Sequence, residues 1–309
     1  MTPYTAHGLQ IDSEVPLPHL MPGSSRPSNV RIRYGPVPTS LPNPLGEGGY
    51  FQATPDTFLL VVRKVARFLV VKGQDILIER LPNCCDDLLR LYLLGSAFGA
   101  LLHQRGLLVM HASTIQTARG AVLFVGPSGH GKSTLLAALV QRGYAMLADD
   151  VTAVSVEAHS GPVAFGAFPC LRLCADAAAR LNYPVEALTR VRSDDAEKYL
   201  VPVTRFCANP VPVHAVYNLS VHAATNILLE PVSTVQRFAI VGTNTYRYSF
   251  LGGLGQRQMH FHAATRLAKA VHVGSITRPV SPYLLDELVD RLGVEFGGPV
   301  GTAKDKAVR

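Results

Sequence analysis

The sequence predicts an α/β protein in which a small β-rich region precedes a core built from a strand, a glycine-rich loop and a helix. Three observations predict it. Residues 1–82 carry alternating, β-branched runs such as "NVRIRYG" and "ARFLVVKGQDILIERL", split by short turns. "GAVLFVGPSGHGKSTLLAALVQ" passes from a continuous apolar run through Gly126, Gly129 and Gly131 into a helical pattern. Strands and helices then alternate to a closing amphipathic helix, "PYLLDELVDRL".

In chain order, the prolines between Pro16 and Pro44 mark turns and edge segments. Asp86 to Gln104 reads as a helix, because two acids suit the dipole of its first turn and apolar residues recur at helical spacing. It ends a first region, residues 1–104. A second region spans residues 105–296. There "LLVMHASTIQT" and "GAVLFVG" read as strands joined by a turn at Ala118 to Gly120. Lys132 to Arg142 reads as a helix stopped by Gly143. "YAMLA" reads as a short buried strand that ends on Asp149 and Asp150. "VTAVSVEAHSGPVAFGAF" reads as a hairpin turning at Ser160-Gly161. Residues 297–309 read as a disordered tail.

Composition narrows the classes. With 48% hydrophobic and 17% charged residues, the 309-residue chain reads as soluble, globular and long enough to bury a core. Every apolar run is broken by Arg, His, Gly or Pro before it could span a bilayer, and no secretory signal opens the chain. The expectation is a cytoplasmic protein without a membrane partner. Five cysteines, two of them adjacent, do not suggest a disulfide framework. Cys170 and Cys174 lack the second Cys or His pair that zinc needs. A net charge of +7 suits a phosphate-rich or acidic partner, but its scatter along the chain argues against nucleic acid.

Gly126, Gly131, Lys132 and Ser133 satisfy G-x-x-x-x-G-K-[ST], with Gly129 inside the loop. Glycines let backbone N–H groups approach phosphates, and the following helix aims its N-terminus at that charge. Gly126, Ser128, Gly129, His130, Gly131, Lys132, Ser133 and Thr134 form the expected nucleotide-binding set. Lys132 would reach the β- and γ-phosphates, and the Ser133 hydroxyl would ligate Mg²⁺. No N/T-K-x-D run reads guanine, so ATP with Mg²⁺ is the expected cofactor pair.

Asp149 follows Lys132 by 17 positions, which fits one helix, a turn and a strand running beside the loop strand to the same sheet edge. Ligands of open α/β sheets bind at that edge. One carboxylate there can accept a proton from an attacking hydroxyl. The other can hold Mg²⁺. An attacking water would serve as well as an alcohol. His111 precedes Lys132 by 21 positions and reaches the same edge if its strand pairs with the loop strand.

The run "HASTI…GAVLFVGPSGHGKSTLLAALVQRGYAMLADDVTAV" resembles the catalytic domain of the HPr kinase/phosphorylase family. The resemblance covers residues 105 to 157 well and the rest of the second region loosely. It implies a P-loop kinase core of the HPr kinase/phosphoenolpyruvate carboxykinase type, transfer of phosphate to a serine, and a homo-oligomer. It also implies Asp149 as the catalytic base, Asp150 as its partner, and His111 as a polar group beside the phosphates. With Asp149 as the base, Ser133 and Asp150 are the expected metal residues. The family's downstream Glu-Ile-Arg-Gly-type signature is absent. The corresponding stretch reads "AFPCLRLCADAAARL", so neither HPr as substrate nor phosphorylase activity is expected. The opening "AHGLQIDSEVPLPHL" resembles HPr-kinase-like proteins encoded with peptide-tailoring enzymes, some of which phosphorylate lasso-peptide precursors on a C-terminal serine.

Two further cations stand out. Lys198 lies before a strand after an acidic run and can reach a phosphate, and Arg172 can pair with a carboxylate or a phosphate. His260, His262 and His272 read as a helical surface. The sequence thus points to an ATP- and Mg²⁺-dependent kinase acting on a serine of a peptide or small protein. An NTP hydrolase and a nucleotide-binding regulator stand as alternatives.

Overall fold

The computed structural model describes residues 1–24, 26–157, 161–191 and 198–300. β1 (Thr2–Ala6), β2 (Leu9–Ser13), β3 (Met21–Pro22), β4 (Val30–Tyr34), β5 (Gly46–Gly48), β6 (Phe51–Ala53), β7 (Thr57–Val62), β8 (Ala66–Val71) and β9 (Asp75–Arg80) form one nine-stranded sheet. Its order is β3-β1-β2-β4-β9-β8-β7-β6-β5. β4 runs parallel to β2 and β9, and all other neighbours are antiparallel. The period of two is plain in β8, where Ala66, Phe68 and Val70 are buried and the residues between them only half-buried. That face packs on α1 (Asp86–Tyr92), a π-helical turn (Leu93–Ala97) and α2 (Phe98–Gln104). The single helix expected from sequence over residues 86–104 is continuous, with its middle turn wound as π. The π turn falls where Gly95 and Gly99 make room for Tyr246, since a Cβ on Gly99 would lie 2.9 Å from the tyrosine ring.

The second sheet contains β10 (Leu108–Met110), β11 (Ser113–Thr117), β12 (Gly120–Val125), β13 (Ala145–Ala148), β14 (Thr152–Ser155) and β15 (Val163–Ala164). β16 (Cys170–Cys174), β17 (Thr189–Val191) and β18 (Lys198–Pro202) form a separate three-stranded sheet. β19 (Val211–His222), β20 (Leu228–Pro231) and β21 (His272–Pro279) return to the second sheet, ordered β10-β14-β15-β19-β12-β11-β13, with β21 on β19 and β20 on β21.

The helices of this half are α3 (Lys132–Gln141), α4 (Ala175–Arg180), α5 (Thr234–Thr243), α6 (Phe250–Gly253), α7 (Arg257–Ala270) and α8 (Leu285–Phe296). β12 is buried on both faces, which explains its unbroken apolar run. Val122 and Phe124 pack with Leu135 of α3 and Phe296 of α8. Ala121, Leu123 and Val125 pack with Val241 of α5 and Leu267 of α7. Each large side chain buried this way contributes about 1.5–3 kcal/mol.

Four expectations are amended. "LLVMHASTIQT" is not one strand. It breaks at His111, whose N–H donates to the Asn244 carbonyl at 2.8 Å, so β10 pairs with β14 while β11 pairs with β12 and β13. The strand leading to Asp149 is not beside the loop strand, because β11 lies between them. β11 is antiparallel to both, so β13 still delivers its acids at the loop's edge. His272 begins β21 rather than lying on a helix, and His260 is buried, bonded to Thr245 Oγ1 at 2.7 Å. Gly297 ends α8 at φ 72°, and the Gly298 carbonyl accepts the Ala118 N–H at 3.1 Å, so the expected tail begins pinned. Residues 301–309 of that tail, and Ser160 of the expected hairpin turn, lie outside the described residues. Among the described residues no helix is long and apolar enough to cross a membrane.

Candidate active site

β12 ends at Val125 and α3 begins at Lys132, so the loop between them sits at the sheet's carboxyl edge. Gly126, Gly129 and Gly131 hold φ of 132°, 83° and 91°. At Gly126 a side chain is also excluded by space, since a Cβ would lie 2.5 Å from the Leu219 carbonyl oxygen. The Leu135 N–H donates to the Gly131 carbonyl at 2.8 Å, which starts the helix. Lys132 folds back over the loop and donates from Nζ to the carbonyls of Gly126 at 2.7 Å and Pro127 at 3.1 Å. Burial lowers its pKa, and Asp150 and Asp149 oppose that shift.

Asp149 joins three elements. Its Oδ1 accepts from Ser113 Oγ of β11 at 2.6 Å and from Ser133 Oγ of α3 at 2.9 Å, and its Oδ2 accepts the Arg172 N–H of β16 at 3.0 Å. Asp150 takes φ 73°, which turns its side chain to other partners. His111 Nδ1 lies 3.2 Å from Asp150 Oδ1 and 3.0 Å from the Asp150 carbonyl oxygen. Both are acceptors, so Nδ1 carries a proton. Arg172 Nη1 lies 3.3 Å from Asp150 Oδ2. Burial pushes the Asp150 pKa up, but the His111 hydrogen bond and the Arg172 charge outweigh it and bring it down to about 2.

These groups line one cleft of about 490 Å³. Of the sequence-derived set, His111, Ser128, Gly129, Gly131, Lys132, Ser133, Thr134, Asp149 and Asp150 line it, as do Arg172 and Lys198. Gly126 roots the loop from behind. The His130 carbonyl accepts from Arg278 Nη2 at 3.3 Å, and its own Nδ1 is buried without a partner. The Ser133 hydroxyl meets Asp149, not Asp150, its expected partner at the metal. Oxygen donors of this kind suit a hard cation such as Mg²⁺. A larger hollow of about 640 Å³, lined in part by Gly106, Met259 and Arg266, contains none of these groups, so size does not locate the chemistry.

Sequence reasoning missed Ser113, Arg278 and Asn244. Ser113 carried a signal, because it lies two residues beyond His111 at the edge His111 was assigned to. The other two come from β21 and from the end of α5, and nothing local marks them.

No protein-family model and no curated protein matches the chain. Among solved structures, the Hpr(Ser) kinase/phosphatase from Coxiella burnetii aligns over 62% of this chain and 99% of its own, at 15% identity and a TM-score of 0.30. A likeness that slight carries no argument about fold or activity.

Proposed function

We propose that this chain is a cytoplasmic, ATP- and Mg²⁺-dependent kinase of the HPr-kinase-like kind that phosphorylates a serine hydroxyl of a peptide or small protein. The observation that carries this reading is the junction at Asp149. One carboxylate ties Ser133 of the loop to Ser113 of the neighbouring strand, with Lys132 and a second carboxylate in the same cleft.

Bound ATP and Mg²⁺ supply the phosphoryl group and part of the charge that offsets it. Arg278, the loop N–H groups and Lys132, released from the Gly126 and Pro127 carbonyls, would hold the phosphates. Ser133 and Asp149 form the metal side. Asp150 receives the hydroxyl proton, held in place by Arg172 and the Nδ1–H of His111. This exchanges the roles given to the two acids by resemblance. Asp149 already accepts three hydrogen bonds and is buried, whereas Asp150 is half-buried. An ionised carboxylate that orients the hydroxyl is sufficient for phosphoryl transfer. A lasso-peptide precursor is the acceptor favoured by the resemblance of "AHGLQIDSEVPLPHL".

The test is phosphate transfer from ATP with Mg²⁺ to serine-containing peptides, read by mass. Acceptor-dependent transfer is expected, and Lys132→Ala should weaken both binding and transfer. Phosphate release that ignores the acceptor would instead mark a hydrolase, and binding without turnover a regulator.

A further inference from the structure

Asn244 follows the last residue of α5, 118 positions from the loop it touches. Its side-chain oxygen, side-chain nitrogen and backbone carbonyl each make a hydrogen bond. Oδ1 accepts the Gly126 N–H at 2.8 Å. Nδ2 donates to the Ile240 carbonyl at 2.8 Å. Its backbone carbonyl accepts the His111 N–H at 2.8 Å. The amide orientation is fixed by its partners, since Gly126 N–H only donates and Ile240 C=O only accepts.

The residues that follow are braced on the opposite side. The Tyr246 N–H donates to the Val109 carbonyl at 2.8 Å, and His103 Nε2 meets the Tyr246 carbonyl at 2.9 Å. Asn244 is therefore part of a strap anchored to β10, α2 and α5.

We propose that Asn244 is a positioning residue that holds the root of the phosphate loop in register with the backbone of His111. Gly126 has no side chain, and the Leu219 carbonyl excludes one, so the root of the loop is bare backbone. A buried N–H needs a partner, and Asn244 supplies it from outside the loop. With the root fixed, the N–H groups further along the loop keep their aim before any ligand arrives. Without it the loop must be ordered on binding, which weakens affinity.

The inference rests on the nucleotide-binding reading of the loop, and the experiment separates the two. Asn244→Leu removes both side-chain bonds at similar volume. Asn244→Asp keeps the acceptor for Gly126 and loses the donor to Ile240. The readouts are amide hydrogen exchange at Gly126, which needs no nucleotide, and ATP affinity by titration.

Asn244→Leu should strip Gly126 of protection and weaken ATP binding by about tenfold or more, the scale of a buried donor left unpaired. Asn244→Asp should keep Gly126 protected. Wild-type protection or wild-type ATP affinity in Asn244→Leu overturns the proposal, as does equal loss of protection in both variants. A fall in melting temperature with Gly126 still protected marks a merely structural role and also overturns it. If the wild type binds no ATP, the kinase reading fails while the exchange data still report on Asn244.

Discussion

The two nine-stranded sheets bury polar groups in different ways. In the N-terminal sheet, Ser13 is buried but closes its own turn, since Oγ donates to the Val15 carbonyl at 2.8 Å and accepts the Val15 N–H at 3.0 Å. In the loop half, Lys132 is buried, and so are Ser113, Thr114, Asp149 and Thr152. They bond across strands, as between Thr114 and Thr152 at 2.7 Å, 38 positions apart. A buried polar group costs free energy unless it is paired. Local pairing of the Ser13 kind serves the turn it sits in. Long-range pairing at one edge gathers ionisable side chains around a cleft, and the proposed reaction is placed there for that reason.

The largest effect should come from that edge. Asp150→Asn keeps the shape of the side chain but removes its charge. Transfer should fall by about 10²- to 10⁴-fold, the range for loss of a general base, while ATP affinity falls far less. Single-turnover kinetics alongside an ATP titration would check it. If Asp149→Asn abolishes transfer and Asp150→Asn does not, the roles revert to those implied by resemblance. Comparable residual activity after changing Ser13 and Ser113 to alanine would erase the contrast between the sheets.

How much of this was legible in sequence follows from the range of each interaction. Gly126 to Ser133 could be read because the loop's backbone needs glycines at fixed offsets from one lysine. Asp149 could be read because a helix and a strand have calculable lengths. The place of β11 between β12 and β13 could not, because strand pairing is a choice among distant partners. Arg278 and Asn244 reach the loop across 148 and 118 positions, and neither lies in a local pattern. The apolar alternation of β8 and β9 was plain, whereas the π turn depends on Tyr246, far along the chain.

Next in size is the joint between the two sheets. Phe250 of α6 is fully buried, with ring centroids 4.8 Å from Phe51 and 4.4 Å from Phe58 of the first sheet. Phe250→Ala should cost about 3–5 kcal/mol in urea unfolding. Transfer by the fraction still folded should be retained, because Phe250 touches none of the acids. Unchanged stability would mean that the N-terminal sheet is not held through this joint.

Acid should loosen the N-terminal side before it reaches the acids of the cleft. Burial lowers His7 from 6.5 to about 4, and burial likewise lowers His103 to about 4 despite the Tyr246 carbonyl. The unfolded chain therefore takes up these protons first. Stability is complete above pH 6.5 and falls as pH drops from 6.5 to about 4, by up to roughly 3 kcal/mol for each histidine. Asp150 is shifted in the same direction, but in a lower pH window. Its contribution is present above its usual value of 3.8 and is lost as pH falls from there to about 2. Urea unfolding at a series of pH values should show the first loss on its own, and His103→Gln should flatten part of it. A flat profile between pH 4 and 6.5 contradicts the burial argument.

The smallest effect tests whether the contrast belongs to whole regions or to one edge. Ser233 caps α5 in a reciprocal box, its Oγ accepting the Gln236 N–H at 3.4 Å while Gln236 Oε1 accepts the Ser233 N–H at 2.8 Å. Ser233→Ala should cost about 1 kcal/mol. Asn244 follows the last residue of the same helix, eleven positions and about three turns from the cap. Fraying at the first turn leaves the Ile240 carbonyl and the Gly126 contact in place, so ATP affinity should stay at the wild-type value. If Ser233→Ala weakens ATP binding as much as Asn244→Leu does, the whole of α5 sets the loop. The positioning would then belong to the helix rather than to its last contact with the sheet edge.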